Sequence, residues 1–476
     1  MLENLFKLKE NGTSVRTEIV AGLTTFMTMA YIIALNPNLL TGFGADGGRE
    51  LWNGVFLATC IASAIGMFVM AFASNKPFAL APGMGLNNFF AMVTANIASI
   101  TGMTYLESYQ AALIIILIEG VIFMALSVLN VREKIVEAIP LGVRLGIAPA
   151  IGMMLMNIGF GSNAGIYSKT GGPFYMMSDF FGSLTAGLAK TKMDDGYAAM
   201  VLTVVTAFIG LFLIIVLAQM GVKAAVIIGM LAASVIYWAG EAIFLHTNPF
   251  ANLASASFLP PFGDMAKTTL FKYNFSGFAS ISWFTIITLI VTFCIIDMFD
   301  TIGTLVGTAS RAGMLDKNGK MPKMKEALMA DAVGTVVGSA TGTSTVTTFI
   351  ESASGVEAGG RTGLTALTTG VLFLACIFIA PIAAIIPPAA TSSALIYVGL
   401  LMLSGLKNID FTDVYQYVPV GLMLIAMPVS GSIGHAIGIG LISYSVIKLF
   451  TGKGKDVSVL TYVLSVIFLL KFFLAA

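Results

Sequence analysis

Glu351, Glu357 and Arg361 stand among glycines and hydroxyl residues in the stretch TSTVTTFIESASGVEAGGRTG, 343–363, of an otherwise oily chain. An ionisable side chain at membrane depth costs about 2.5–3.5 kcal/mol on insertion scales, so its presence there points to function. Thr347, Thr348 and Phe349 come just before Glu351 and set hydroxyls and an aromatic face beside a carboxylate acceptor. A planar heterocycle with ring N–H groups would use all three features, which makes Glu351, Thr348 and Phe349 candidate substrate contacts. A second acidic pair, Asp297 and Asp300, lies within TFCIIDMFDTIGTLVG, and the spacing of three places both on one helical face. Carboxyls this deep in an apolar run must pair with donors, line water or carry a proton. Asp300, followed by Thr301 and Gly303, reads as a substrate-binding and proton-coupling residue. Asp297 reads as a second proton carrier or as a structural anchor. The third constellation is APGMGLNNFF, 81–90, where Pro82, Gly83 and Gly85 permit a backbone break and the close approach of a ligand. A helix restarting after the break presents unpaired N–H groups, and Asn87 adds a donor and an acceptor beside them. Adjacent side chains diverge on a helix, so Asn87 is preferred over Asn88. Glu357 and Arg361, four apart, are expected to pair with each other. Glu119 and Asp331 are expected to be internal hydrogen-bond partners, Asp331 with the further option of joining a proton path.

The elements that would hold these residues are membrane spans. Of 476 residues 57% are hydrophobic and only 10% charged, and the mean hydropathy is +0.92, far outside the soluble globular range. Apolar runs that approach the length needed to cross a bilayer lie at 17–37, 54–74, 83–98, 109–130, 141–159, 198–218 and 222–243. Seven more lie at 282–307, 326–342, 348–360, 364–387, 391–406, 413–430 and 432–449, with an apolar stretch left over at 457–474. The expectation is an all-α polytopic membrane protein of about fourteen segments in the cell membrane. Lys7, Lys9 and Arg16 precede the first run, and alternate connections carry Lys76, Arg132 with Lys134, Lys223, a cluster over 311–325, Arg361, Lys407 and Lys448 to Lys455. Basic residues accumulate on the cytoplasmic side, so the N-terminus is read as cytoplasmic. The third and tenth runs are short and interrupted, one in each half of the chain. That pattern marks a midplane site between inverted repeats, and an odd repeat of seven segments requires opposite insertion of the two halves.

At these same residues the chain resembles the nucleobase–cation symporters, specifically the AzgA-like permeases of adenine, guanine and hypoxanthine. The resemblance is carried by GTSVRTEIVAGLTTFMTMAYIIALNP, ALAPGMGLNNFF, MFDTIGTLVGTASRAGMLDKNGKMPKMKEALMADAVG and GTSTVTTFIESASGVEAGGRTGLTAL, and it runs from about residue 10 to residue 450 in unchanged order. It implies two inverted seven-span repeats with a core domain at 17–130 and 282–387 and a gate domain at 131–243 and 388–450. Residues 1–16 would be a cytoplasmic N-terminus, 244–281 a polar connection and 451–476 a C-terminal apolar segment. It also implies a purine held by Asp300, Glu351 and Asn87, carried with a proton by alternating movement of core against gate. Asn88 stands where the family usually has alanine, which bears on the polarity of the pocket. His435 stands where it often has glutamate, which removes the basis for carrying over a gate-side proton role.

Other readings are weaker. With 25 Lys+Arg against 24 Asp+Glu there is no charged face to suggest nucleic acid. Cys60, Cys294 and Cys376 lie singly in apolar runs, as buried small hydrophobes rather than a disulfide or metal framework. No cofactor beyond a coupling proton is implied, and the absence of HExxH, GxSxG and P-loop patterns argues against an enzyme. A carrier of uracil, xanthine or an anion, or a passive nucleobase channel, would share the architecture, although two acids at the site disfavour an anion. A homodimer is compatible with the reading. Among Phe26, Phe89, Phe293 and Phe349 the sequence does not decide which ring stacks on the base.

Overall fold

A computed structural model describes residues 2–42, 48–129, 139–163, 197–251, 253, 256–311, 313–314, 321–430 and 433–474. Arg132, Lys134, Lys317 and Lys320 lie outside these residues. We label the membrane helices in chain order: α1 (Val15–Met29), α2 (Ile32–Leu40), α3 (Gly48–Val69), α4 (Met84–Thr101), α5 (Tyr105–Val128), α6 (Leu141–Ile158), α7 (Tyr197–Gln219) and α8 (Ala225–Phe244). In the second half come α9 (Trp283–Arg311), α10 (Met324–Thr341), α11 (Ser352–Glu357), α12 (Gly363–Ala375), α13 (Pro388–Leu403), α14 (Val414–Ser430), α15 (Ile433–Phe450) and α16 (Val459–Leu474).

Every expected apolar run coincides with one of these elements. Among the described residues ten helical stretches are long and apolar enough to cross a membrane, and Val414–Ser430 and Val459–Leu470 are shorter apolar helices. The chain is thus a multi-pass membrane protein. The third, ninth, tenth and thirteenth of the expected segments fall short of that length or apolarity.

The all-α expectation needs one amendment. The third and tenth segments each begin with a three-residue strand, β1 (Leu80–Pro82) and β2 (Val346–Thr348), and these pair antiparallel with Leu80 opposite Thr348, Ala81 opposite Thr347 and Pro82 opposite Val346. The ladder is prolonged by Gly83 N–H to Thr345 O at 3.0 Å and Phe349 N–H to Ala79 O at 2.9 Å. Backbone polar groups that leave the helix must find partners inside a membrane protein, and each interrupted segment supplies those of the other. Because the strands run antiparallel, α4 and α11 depart in opposite directions from a shared centre.

Helix ends follow their local chemistry. Ser14 caps α1, Thr104 and Glu107 form a reciprocal capping box at α5, and Thr362 caps α12. α1, α3, α5, α10 and α12 pack on one another, whereas α6, α7, α13, α14 and α15 are joined mainly among themselves, with α8 on α7 and α13. One end of the molecule gathers several chain ends. Asn75 Nδ2 donates to Phe6 O, Gly363 N–H donates to Asn75 Oδ1, Lys323 Nζ reaches Ala73 O and Lys325 Nζ reaches Val128 O.

Candidate functional site

Where β1 and β2 meet, a cavity of about 390 Å³ opens, within the range of small-molecule sites. One wall comes from the strand breaks and α9, with Gly83, Met84 and Gly85 at the start of α4, Asp300 and Thr304 on α9, Thr348 at the end of β2, and Phe349 and Glu351 just after it. The other comes from α6, with Arg144, Ile147 and Ile151, and from α13 and the turn that follows it, with Val398, Met402, Lys407 and Asn408.

Glu351 is held from a distant element: Tyr31, at the break between α1 and α2, donates its hydroxyl to Glu351 Oε1 at 2.7 Å. Tyr31 is itself buried and lines the cavity. Thr348 is fixed by donating to Asp331 Oδ1 at 2.9 Å, so the expectation of Asp331 as an internal partner holds. Glu119 likewise accepts from Thr345 Oγ1 at 2.6 Å. Asp300 sits against the first break, since a Cβ added to Gly83 would lie 3.5 Å from Asp300 Oδ2.

Four of the six expected site residues, Asp300, Glu351, Thr348 and Phe349, therefore share the cavity. Asp297 and Asn87 are placed elsewhere. Asp297 is buried and accepts from Thr301 at 3.1 Å, and Thr301 in turn bonds Thr347 on β2. Asn87 is buried, donates to Pro82 O at 3.1 Å and accepts from Ser344, so in this conformation its amide ties the two interrupted segments together. Asn88 Nδ2 lies 2.8 Å from Met154 Sδ, outside the cavity. Among the four candidate rings only Phe349 lines the cavity; Phe89 packs on Phe293 with centroids 4.6 Å apart, and Phe26 on Phe373 at 5.6 Å. The pairing expected between Glu357 and Arg361 is not what the structure shows. Arg361 Nη1 donates to Val356 O and Gly360 O, both at 2.7 Å, because the tight turn after α11 leaves those carbonyls within reach. His435 packs edge-on against Phe472, away from the cavity.

Sequence reasoning missed Tyr31 and Arg144. Arg144 was legible, since a cation inside the apolar run 141–159 carries the same cost that singled out Glu351. Tyr31, uncharged and flanked by apolar residues, gave no such signal.

Among the glycines that line the cavity, Gly83 leaves the least room for a side chain. A Cβ there would overlap Thr347 Cγ2 across the strand pair, and overpacking of this kind costs about 1–3 kcal/mol. Gly83→Ala is expected to lower transport per molecule in the membrane about tenfold or more. Adding Thr347→Ser, which removes the clashing methyl, should restore most of it. Uptake normalised to membrane abundance checks both; an active single variant, or a double variant no better than the single, would sink the account.

An oily bundle with a largely apolar cavity that holds two carboxyls at the crossing of two broken helices defines a substrate-translocating membrane protein. The comparisons make that class specific. The profile of the permease family (Xan_ur_permease) matches residues 16–429, and the chain belongs to that family, to which the sequence motifs pointed; it is a permease and not an enzyme. It is 36% identical over 472 residues to adenine permease AdeP of Escherichia coli, covering 99% of this chain and 96% of that one. It is also 36% identical over 473 residues to guanine/hypoxanthine permease PbuO of Bacillus subtilis, covering 99% of this chain and 100% of that one. The transmembrane domain of the cyanobacterial bicarbonate transporter BicA shares the fold, with a TM-score of 0.61 at 15% identity over 88% of this chain and 96% of that one.

Proposed function

We propose that this permease imports purine nucleobases by proton symport, with the cavity as the substrate site. The observation that carries the reading is the meeting of Glu351, Asp300 and Thr348 with the flat face of Phe349 in one cavity of nucleobase size. The carboxylates accept ring N–H bonds, the ring stacks, and the start of α4 offers N–H groups to ring acceptors. Relatives that cover essentially the whole chain are named as adenine and guanine/hypoxanthine permeases, which supports a purine cargo. Glu351 and Asp300 are the coupling acids, with Asp297 behind them through Thr301.

Alternating access follows if the α6–α8 and α13–α15 group moves as a gate against the helices that carry β1 and β2, since the cavity wall is divided between them. The mouth is at the exposed Lys407 and Asn408, and by the preference of Lys and Arg for the cytoplasm we place this end and the N-terminus on the cytoplasmic side of the cell membrane. Arg144 and Lys407 would suit an anion, as the shared fold of a bicarbonate transporter also would. Two acids in the same cavity weigh against that cargo.

The test is uptake of radiolabelled purines into cells lacking their own nucleobase permeases. One proton moving down about 100 mV supplies about 2.3 kcal/mol, enough for about 50-fold accumulation. A protonophore should collapse that gradient to near unity. Accumulation untouched by the protonophore would remove the proton from the mechanism, and bicarbonate uptake without purine uptake would replace the cargo.

A further inference from the structure

Arg144 is a charged group of the cavity that the cycle above leaves unused. It sits in the first turn of α6, one residue before Leu145, and both line the cavity. Its Nε is buried with no hydrogen-bond partner, and no ion pair engages the guanidinium among the described residues. A guanidinium whose Nε has no acceptor among the described residues, beside a ligand cavity, is a donor awaiting one.

The opposite wall has the complementary character. Glu351 and Asp300 are carboxyls, and Thr348 has given its hydroxyl hydrogen to Asp331 Oδ1, so that only its lone pairs remain for a ligand. The cavity therefore presents acceptors on the β2 side and donors on the α6 side. A 6-oxopurine has the matching polarity, with the N1–H donor on one edge and the O6 and N7 acceptors on another. An arginine fork takes O6 and N7 in a bidentate pair, the same geometry by which arginine reads guanine in a DNA groove. Adenine carries an amino group at position 6 and would set donor against donor, leaving the guanidinium unpaired; a site built to hydrogen-bond one group rejects the analogue that lacks it.

We propose that Arg144 is the specificity-determining residue of this carrier, reading the O6/N7 edge of the purine so that hypoxanthine and guanine are taken in preference to adenine. The inference rests on the purine reading of the cavity. A latch role, in which Arg144 pairs with Glu351 as the cavity closes, would affect all purines alike, and that difference makes the proposal testable.

The experiment is competition against radiolabelled hypoxanthine uptake by unlabelled hypoxanthine, guanine, adenine, 7-deazaguanine and unsubstituted purine, in cells lacking their own nucleobase permeases. With the wild-type chain, hypoxanthine and guanine should compete about tenfold or more better than adenine, and 7-deazaguanine, which lacks the N7 acceptor, should be about tenfold or more weaker than guanine. In Arg144→Gln, at equal membrane abundance, direct uptake of labelled hypoxanthine and of labelled adenine should show the preference falling towards unity, through weaker hypoxanthine affinity and not through adenine. Equal weakening of all purines, an unchanged preference, or equal potency of guanine and 7-deazaguanine would overturn the proposal. Even where the variant fails to reach the membrane, equal potency of guanine and 7-deazaguanine on the wild type overturns the reading of the O6/N7 edge. Failure of the wild type to take up any purine would overturn the underlying reading, a result distinct from purine uptake without discrimination.

Discussion

Glu351→Gln should reach the membrane in normal amounts and lose about 99% of purine uptake. The substitution keeps the shape of the side chain, and its amide oxygen still accepts from Tyr31, whose hydroxyl lies 2.7 Å from Glu351 Oε1. The change falls on the other terminal atom, where an acceptor becomes an NH₂ donor. A ring N–H that met a carboxylate then meets another donor. The hydrogen bond to a charged group is worth about 1.5–3 kcal/mol, so losing it lowers affinity by about 10–150-fold. The variant also removes a coupling acid, and accumulation falls further than binding. Initial rates across a concentration series, normalised to the amount of protein in the membrane, separate the two effects. Tyr31→Phe provides the scale: the carboxylate stays but loses one donor, and a loss of about 1 kcal/mol, about fivefold in affinity, is expected. Near-normal uptake by Glu351→Gln would take the carboxylate out of the substrate site.

The contrast between Glu351 and Tyr31 shows what a sequence of this kind conveys. Membrane segments announce themselves by length and apolarity, and each expected run became a helix or a broken segment in the structure. The breaks were legible from Pro82, Gly83 and Gly85 and from the shortness of the Glu351 segment. Their pairing was not, because a strand of three residues carries too few positions to show a period of two, and its hydrogen bonds go to the other half of the chain. Asn87 illustrates the same limit. Its type and place beside the break were informative, but Ser344 and Pro82, which engage it, are brought to it by the strand pairing. The choice of Phe349 over Phe89, Phe293 and Phe26 is likewise tertiary, since the other three rings are spent on aromatic partners. Charge at membrane depth was the strongest signal. Applied evenly it would also have found Arg144, and it would have drawn attention to Glu18, which sits so near the start of the first run that it passes for a surface residue.

Glu18 is the residue whose loss should destabilise the fold most. It is buried in the first turns of α1, and its carboxylate accepts four bonds from the start of α12: Arg361 N–H at 2.8 Å, Thr362 N–H at 3.2 Å, Thr365 N–H at 3.2 Å and Thr365 Oγ1 at 2.6 Å. The first N–H groups of a helix have no partner within it, and a negative charge there is further favoured by the helix dipole. Thr362 caps its own helix only through a long bond to Leu364 N–H at 3.4 Å, so α1 supplies most of what the end of α12 needs. Glu18→Ala leaves the Arg361 and Thr362 N–H groups unmatched at about 1–3 kcal/mol each, whereas Thr365 keeps Thr362 O for its N–H and Glu18 O for its hydroxyl. A net loss of about 4 kcal/mol is expected, large against the 5–15 kcal/mol of a typical folded domain. Glu18→Gln retains one acceptor oxygen and should cost about half as much. Thermal unfolding of the purified protein in detergent, followed by size-exclusion chromatography, measures the order wild type, Gln, Ala. The same series tests how the site is held, because the turn from α11 to α12 that Glu18 anchors also contains the Arg361 contacts closing the segment that begins at Glu351. A stable Glu18→Ala protein with wild-type melting would mean that water or neighbouring hydroxyls replace the carboxylate, and that α1 does not fix the position of the tenth segment.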